Sequence, residues 1–125
     1  MTFVTQSDRR RNCGQVSLAA LTDRPLDEIT RLIGHAHGTK TKELIATLRK
    51  LGYECPDRCQ RSIGSFGIAQ LHDPRRSGWH WVAIGHGEVY DGHRSGPMDL
   101  QVYASYIAKA YNARLTSFLP VKAVA

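Results

Sequence analysis

The sequence lacks a long apolar run: no stretch approaches the roughly 20 consecutive apolar residues that a membrane-spanning helix needs. Residues 1–6 show no basic region followed by an apolar core, so we expect no signal peptide. Cysteines are few, and their number, three, is odd, which argues against a secreted disulfide framework. These absences predict a soluble protein of a reducing compartment, and we expect a cytoplasmic location.

Repeats, linkers and low-complexity segments are lacking as well. The 125 residues therefore predict one domain, large enough to bury a core without metal or disulfide support. The formal charge of +6 favours an anionic partner. However, no helix-turn-helix, zinc-finger or RNA-recognition signature accompanies this charge, and aromatic residues do not alternate with the basic ones. The sequence thus argues against a nucleic-acid partner.

Helical spacing of apolar residues dominates the first half of the chain. A first helix is predicted over Gly14–Leu21 and a second after Asp23, which is a typical N-cap residue, up to a stop at Gly34. A third is predicted to begin at 38–39 and to end at Gly52. After Gly52 the pattern changes to short apolar runs separated by Gly, Pro and Asp.

The second half predicts an antiparallel sheet with one further helix. The expected strands are Ile68–Leu71, Trp79–Ile84, Glu88–Asp91 and Leu115–Val121, and a fourth helix is expected over 100–111. Helices that precede a sheet of antiparallel strands predict an α+β fold, with the N-terminal helices packed on a C-terminal antiparallel sheet.

A cysteine lies at the start of the first predicted helix. Residues 11–21 place Cys13 at a polar, glycine-containing turn directly before a run of small and apolar residues. The unpaired N–H groups and partial positive charge of a helix N-terminus favour a thiolate and can bind a developing oxyanion. Free cysteines are also commonly buried and inert. Cys13 is therefore a candidate nucleophile that requires partners.

The predicted hairpin supplies two partners. A thiol nucleophile needs a base to take its proton, and the base needs a group that orients its ring. If 86–87 form a two-residue turn, Val82 lies opposite Asp91, which makes Asp91 a diagonal neighbour of His80 on the same face. A three-residue turn would put Asp91 on the other face unless a bulge intervened. The candidate triad therefore requires a particular register.

Each of these residues also has an ordinary structural interpretation. A histidine between two tryptophans, as His80 is between Trp79 and Trp81, is often a structural residue, and an Asp-Gly pair after a strand is often only a turn. Gln6 lies upstream of Cys13, and its side-chain amide could join the backbone N–H of Cys13 as a second oxyanion donor. Taken together, the residues favour a catalytic site.

The residues resemble those of papain-like cysteine peptidases, and among them the bacteriocin-leader (double-glycine) peptidase group and its stand-alone relatives. The resemblance covers most of the chain in the expected order. It lies in Gln6, Asn12-Cys13-Gly14, the helix ending at Gly52, the Gly-Trp-His-Trp-Val-Ala-Ile run of 78–84 and the Val-Tyr-Asp-Gly run of 89–92. It implies a papain-like cysteine peptidase fold, a peptide or protein substrate and no cofactor. It also implies that Cys13 is the nucleophile, His80 the base, Asp91 the orienting residue and Gln6 the oxyanion donor.

The same scaffold serves several activities, so the fold leaves the substrate open. The leading hypothesis is a cysteine hydrolase that cleaves a peptide, isopeptide or related acyl bond through a thioester at Cys13. One alternative is an acyl transferase on the same scaffold. Another is a non-catalytic papain-like module that binds an acidic peptide or protein.

Two further patterns complete the sequence-based expectations. Cys55 and Cys59 could supply two zinc ligands, with His72, His86 or His93 completing the set, form a labile disulfide, or be ordinary loop cysteines. The arginines at 9–11 and 75–76 flank the predicted cleft, which predicts an acidic substrate whose capture weakens with salt. More often such a run is simply a solvated loop.

Overall fold

The computed structural model describes residues 1–7, 11–75 and 79–124. Within these ranges, helices precede most of the strands, and the predicted α+β organisation is confirmed. The helices are α1 (Cys13–Thr22), α2 (Leu26–Ile33), α3 (Thr41–Lys50) and α4 (Leu100–Tyr111), and the strands are β1 (Tyr53–Glu54), β2 (Phe66–His72), β3 (His80–Gly85), β4 (Glu88–Tyr90), β5 (Met98–Asp99), β6 (Arg114–Pro120) and β7 (Lys122–Ala123). None of the helices in these ranges has the length and apolar character that crossing a bilayer demands.

Five strands form an antiparallel sheet in the order β5-β4-β3-β2-β6, and β1 pairs with β7 in a separate two-stranded ribbon. The strands β1, β5 and β7 were not predicted, because each has two residues and two residues cannot display an alternating pattern. The four longer strands lie where they were expected, with ends that differ by one or two residues.

The helix α1 is the centre of the fold. All ten of its residues are buried, including the polar Gln15 and Ser17. A helix that is buried on every side needs small or apolar residues all round, and the run of Leu and Ala residues after Cys13 supplies them. The first residue of α1 is thereby held in a fixed position relative to the sheet.

The predicted start of the second helix is wrong. Asp23 does not cap α2, which begins at Leu26 after Pro25 as its N-cap residue. Asp23 instead ends α1 in the left-handed conformation, with φ of 57°. Its carboxylate accepts a hydrogen bond from the Thr2 hydroxyl at 2.6 Å and lies 3.3 Å from the N-terminal ammonium of Met1. Asp23 therefore binds the N-terminal segment to the end of α1.

The helix α3 begins later than expected, at Thr41 rather than at 38–39. The Glu43 side chain accepts a hydrogen bond from the backbone N–H of Lys40 at 3.0 Å, which fixes Lys40 as the N-cap position. Residues 34–40 are thus free to form a loop between α2 and α3. This loop lies against the start of α1.

The two faces of the large sheet are covered by different helices. Trp81 and Ala83 of β3 pack in the cluster that contains α1, together with residues of α2 and α3. Val82 and Ile84 pack in a second cluster with residues of α4. The alternation of side chains along β3 therefore separates a face toward α1 from a face toward α4.

The hairpin between β3 and β4 has the register that the candidate triad requires. Gly85 pairs with Glu88 and Ile84 pairs with Val89, so the turn contains two residues. Both have positive φ, 52° at His86 and 80° at Gly87, as the favoured two-residue hairpin turn demands. Continuing this register places the position after β4 across from Val82, on the face toward α4.

Candidate active site

Cys13 is the first residue of α1 and is 7% exposed. Its Sγ accepts a hydrogen bond from the backbone N–H of Trp81 at 3.3 Å. Because Cys13 begins the helix, its own N–H and those of the next residues have no partner within α1 and point toward the space in front of the helix. The Cys13 thiol thus lies between a helix N-terminus and the first residues of β3.

The residue after Cys13 must be small. A Cβ at Gly14 would lie 1.8 Å from Oγ1 of Thr39, so no other residue fits without a shift of the loop 34–40. That loop is held in place by Gln15, whose Nε2 donates to the carbonyls of His35 and His37 at 2.9 and 3.0 Å. The Trp81 Nε1 donates to the Thr39 carbonyl at 3.2 Å. The loop therefore connects α1 to β3 directly beside the thiol.

His80 and Asp91 meet as predicted. His80 is the first residue of β3, and its Nε2 lies 2.8 Å from Oδ1 of Asp91. The Nδ1 atom is the ring nitrogen that remains for the thiol, and His80 forms a hydrogen bond with Cys13. The three side chains thus form a continuous chain from thiol to imidazole to carboxylate.

Asp91 lies just beyond β4, not within it as expected. Its backbone carbonyl accepts from the Arg94 N–H at 2.9 Å, and its Oδ1 accepts from the His93 N–H at 3.0 Å. These bonds form a turn, which ends the strand at Tyr90. The same turn fixes the Asp91 carboxylate with Oδ1 toward His80.

Tyr103 is a site residue that the sequence analysis missed. Its hydroxyl donates to Oδ2 of Asp91 at 2.7 Å, and its side chain is fully buried on α4. The carboxylate therefore accepts hydrogen bonds on both oxygens, from Tyr103 on one side and from His80 on the other. In the sequence, Tyr103 belongs to the apolar stripe of α4, and nothing marks it as more than a core residue.

These contacts favour a charged imidazole and a charged carboxylate. Burial opposes the charged form of His80, but the hydrogen bonds with Asp91 and Cys13 outweigh it and raise the pKa of His80 from 6.5 to about 9. Burial likewise opposes the charged form of Asp91. The bonds from His80, His93 and Tyr103 are stronger in sum and lower the pKa of Asp91 well below its ordinary value. At neutral pH these contacts therefore favour the imidazolium form of His80.

Gln6 lies at the same site, and its role as an oxyanion donor stays a prediction. It is 6% exposed and lines the same cleft as Cys13 and His80. Its backbone N–H donates to the Gly92 carbonyl at 2.9 Å. A Cβ at Gly92 would lie 2.8 Å from the Gln6 Cβ and 2.9 Å from Val16 Cγ1, so glycine permits this close approach. Besides Tyr103, Gly92 is thus another residue whose role at the site no sequence pattern indicated.

The cleft around these side chains has a volume of about 650 Å³. Trp81 is buried on the α1 side, whereas Trp79 is 56% exposed at the rim, so the two tryptophans do not enclose the pair symmetrically. Of the arginines expected to flank the cleft, Arg11 and Arg75 line it. Arg9, Arg10 and Arg76 lie outside the described residues.

The other two cysteines lie outside the cleft. Cys55 directly follows β1, and Cys59 forms a hydrogen bond with Ser117 of β6. Both are half-buried free thiols, and burial raises the pKa of each. In the described ranges no group of three potential metal ligands includes either cysteine, so the zinc arrangement is not supported. The disulfide is not formed, and the interpretation as ordinary loop cysteines fits best.

The described residues do contain one group of potential metal ligands, His80, Asp91 and His93, whose donor atoms lie within 4.8 Å of one another. The two imidazole rings are stacked, with centroids 4.6 Å apart and planes inclined by 17°. The lone pair of an imidazole nitrogen lies in the plane of its ring, so stacked rings do not converge on one ion. His80 also uses Nε2 for Asp91. The geometry suits an acid–base pair better than a metal centre.

Comparison with known proteins supports the fold. No family model and no curated protein matches the sequence. Among solved structures, the chain is similar to the peptidase domain of Streptococcus ComA, described as a bi-functional ABC transporter involved in a quorum-sensing pathway, with a TM-score of 0.63. The sequences are 16% identical, and the alignment covers 97% of each chain. The resemblance inferred from the sequence is therefore confirmed at the level of the fold, which is that of a papain-like cysteine peptidase domain.

Proposed function

We propose that this chain is a cysteine hydrolase that cleaves a peptide, isopeptide or related acyl bond through a thioester at Cys13. The observation that carries the proposal is the chain of contacts from the Cys13 thiol through His80 to Asp91. A nucleophile, a base and an orienting carboxylate in contact are the arrangement that acyl transfer requires. Fold similarity to a peptidase domain supports the same reaction class.

In the first half of the reaction, the proton of the Cys13 thiol passes to Nδ1 of His80, and the Cys13 sulfur attacks the carbonyl carbon of the substrate. The C–S bond forms, and the negative charge moves to the carbonyl oxygen, where the N–H of Cys13 and the Gln6 amide are the proposed donors. The intermediate then collapses: the bond from carbon to the leaving nitrogen or oxygen breaks, and the His80 imidazolium gives its Nδ1 proton to the leaving group. A thioester and a neutral His80 remain.

In the second half, water attacks the thioester. His80 Nδ1 takes the proton of this water, the C–S bond breaks, and the acid product leaves with the site restored to its starting state. Asp91 holds the ring in one orientation and stabilises its positive charge during both halves. Tyr103 holds Asp91 in turn and does not contact the substrate.

The test is to detect the thioester. The purified protein is mixed with a p-nitrophenyl ester of an N-acyl amino acid, and the release of nitrophenolate is followed together with the mass of the intact protein. We expect a burst and an acyl adduct that maps to Cys13 and is missing from Cys13→Ser. A protein without any adduct, in which Cys13 nevertheless reacts with iodoacetamide, would contradict acyl transfer and leave a binding role.

Hydrolysis and acyl transfer share the first half and differ in what attacks the thioester. Adding an amine such as glycinamide to the same reaction separates them. We expect free acid as the main product at millimolar amine, since the proposal assigns the second step to water. Amide as the main product would instead identify an acyl transferase.

A further inference from the structure

A cluster of cationic and aromatic side chains lies at the wall of the cleft beside the proposed catalytic residues, and all its members except Tyr106 line the cleft. It consists of Arg75, Arg94, Tyr106 and Tyr111, and we refer to it as the Arg94 cluster. The Arg94 guanidinium carbon lies 5.2 Å from the ring centre of Tyr106 and 5.8 Å from that of Tyr111, and that of Arg75 lies 5.1 Å from the Tyr111 ring. Two guanidinium groups therefore share one aromatic ring.

The position of Arg94 is fixed relative to the catalytic residues. Its backbone N–H donates to the carbonyl of Asp91 at 2.9 Å, and its Nη1 donates to the Tyr106 hydroxyl at 2.7 Å. Arg94 and Tyr111 line the same cleft as Cys13 and His80. A group bound by Arg94 would thus lie in the space that an acyl substrate of Cys13 enters.

Arg94 retains the capacity to bind an anion. A guanidinium carries five N–H donors, and the two tyrosine hydroxyls beside it cannot use all of them. Among the described residues, carboxylates lie within 4.0 Å of the side chains of Arg24, Arg49 and Arg75, but not of Arg94. The carboxylate of Asp91 is already bound to His80 and Tyr103 and does not pair with Arg94.

Two positive charges lie together at this place. The guanidinium groups of Arg94 and Arg75 both lie beside the Tyr111 ring, and their charges attract an anion there. The Tyr106 hydroxyl holds the Arg94 guanidinium by accepting from Nη1, and other N–H groups of Arg94 remain for a ligand. A guanidinium can bind a carboxylate through two parallel hydrogen bonds.

We propose that the Arg94 cluster binds a carboxylate of the substrate next to the scissile acyl group. The proposal rests on the proposed function of Cys13 and names the substrate class: acyl compounds that carry a carboxylate near the bond to be cleaved. The carboxylate comes either from an aspartate or glutamate side chain or from the C-terminus of a peptide. Both sources present the same planar anion to Arg94.

Three bromoacetyl probes of nearly equal size test the proposal. They are bromoacetyl-glutamate amide, with a side-chain carboxylate, bromoacetyl-glutamine, with a terminal carboxylate, and bromoacetyl-glutamine amide, which is neutral. In each, the Cys13 sulfur displaces bromide, and the rate at Cys13 is measured by peptide mapping. A second set of the three probes, with one glycine inserted between the bromoacetyl group and the glutamate or glutamine, allows for a longer distance between Cys13 and Arg94.

We expect at least one carboxylate probe to react with Cys13 about tenfold faster than the neutral probe at low salt, as a charge-assisted hydrogen bond would produce. A faster glutamate amide identifies an acidic side chain, and a faster free glutamine identifies a chain terminus. In Arg94→Gln the preference, taken as the ratio of the carboxylate-probe rate to the neutral-probe rate within the same variant, should fall by most of this factor. The neutral probe thus reports the thiol and His80 separately from the subsite.

Two further variants serve as controls for loss of folding and for non-specific attraction of the anionic probes by the basic protein. Arg75→Gln removes an exposed member of the cluster and should lower the preference partly, without risk to the core. Arg58→Gln removes an exposed charge outside the cleft and should leave the preference unchanged. The imidazolium of His80 attracts anions in all variants, so only the part of the preference that depends on Arg94 counts.

The outcomes separate the inference from the proposed function. Equal rates for all probes in the wild-type protein, with Cys13 still the preferred site of reaction, would overturn the carboxylate subsite alone. A preference that survives both Arg94→Gln and Arg75→Gln would also overturn it. Indiscriminate reaction of Cys13, Cys55 and Cys59 with the neutral probe would instead contradict the proposed function.

Discussion

The chain contains the same functional group in two different surroundings. At one, the Cys13 thiol accepts a hydrogen bond from Trp81 and contacts His80, which is held by Asp91. In the other, Cys55 beside β1 and Cys59 beside Ser117 of β6 are half-buried, and burial raises the pKa of each thiol. The two surroundings differ in the neighbours of the thiol, and Cys13 is the most buried of the three. Exposure and neighbouring groups therefore predict opposite orders of reactivity for these thiols.

The largest effect is expected from exchanging the thiols one at a time. Cys13→Ala should lower turnover of an activated ester by about 10⁴-fold or more, because the nucleophile is lost. Cys55→Ser and Cys59→Ser should retain turnover within about twofold, as substitutions away from a site usually do. Steady-state kinetics with circular dichroism as a folding control checks this. Loss of activity in Cys59→Ser with an intact fold would contradict the assignment of Cys13 as the nucleophile.

The second-largest effect is expected from removing the negative charge of Asp91, which lies beside the ring of His80. In Asp91→Asn the amide cannot stabilise the imidazolium, and turnover should drop on the order of 10²-fold or more. In the wild-type protein the pKa of His80 is raised to about 9, so the imidazolium that protonates the leaving group persists below that pH and is lost above it. Turnover should therefore fall as the pH rises through about 9. In Asp91→Asn this decline should move to lower pH; an unchanged pH profile would contradict the role of Asp91.

A third effect tests the packing that fixes the start of α1. Gly14→Ala places a Cβ 1.8 Å from the Thr39 hydroxyl and should lower the free energy of unfolding by about 1–3 kcal/mol, the usual cost of overpacking. Gly96→Ala has no atom within 4 Å of the added Cβ and is the matched control. Urea unfolding measures both. If the clash is the cause, Thr39→Ala should recover part of the loss in the double variant; equal stability of the two glycine variants would disprove it.

The smallest effect is expected from changing Tyr103, whose hydroxyl binds the Asp91 carboxylate. Tyr103→Phe removes the hydroxyl that donates to Oδ2 of Asp91 and leaves that oxygen without this donor, at a cost of about 1–3 kcal/mol in stability. Turnover should fall less than in Asp91→Asn, because His80 keeps its partner. Tyr53→Phe, in a tyrosine next to Cys55, is the control at the other thiol region. A purely structural role of Tyr103 would change stability while leaving the pH profile of turnover unmoved.

The sequence predicted the parts of this site that depend on local rules. A left-handed glycine ends α2 at Gly34, and the two positive φ values at 86–87 set the hairpin register that relates His80 to Asp91. The α+β order follows from the change of apolar spacing at Gly52. In each case a few adjacent residues determine the conformation.

The remaining features depend on packing between distant segments. Asp23 looked like a helix cap, but its carboxylate binds the N-terminus and Thr2, residues that no local pattern relates to it. Tyr103 is 12 residues from Asp91 on another element, and its spacing alone resembles that of any core residue. Strands of two residues, such as β5 and β7, are defined only by their partners.

The most direct test of the account is the rate of iodoacetamide reaction at each of the three cysteines at pH 6, measured by mass spectrometry in the wild-type protein and in His80→Ala. Exposure alone predicts that the half-buried Cys55 and Cys59 react before the buried Cys13. The proposed Cys13–His80 pair predicts the reverse, with Cys13 on the order of tenfold faster because His80 takes the proton of the attacking sulfur, and it predicts that His80→Ala removes this advantage. Cys13 reacting no faster than the other two, or keeping its advantage without His80, would contradict the central claim.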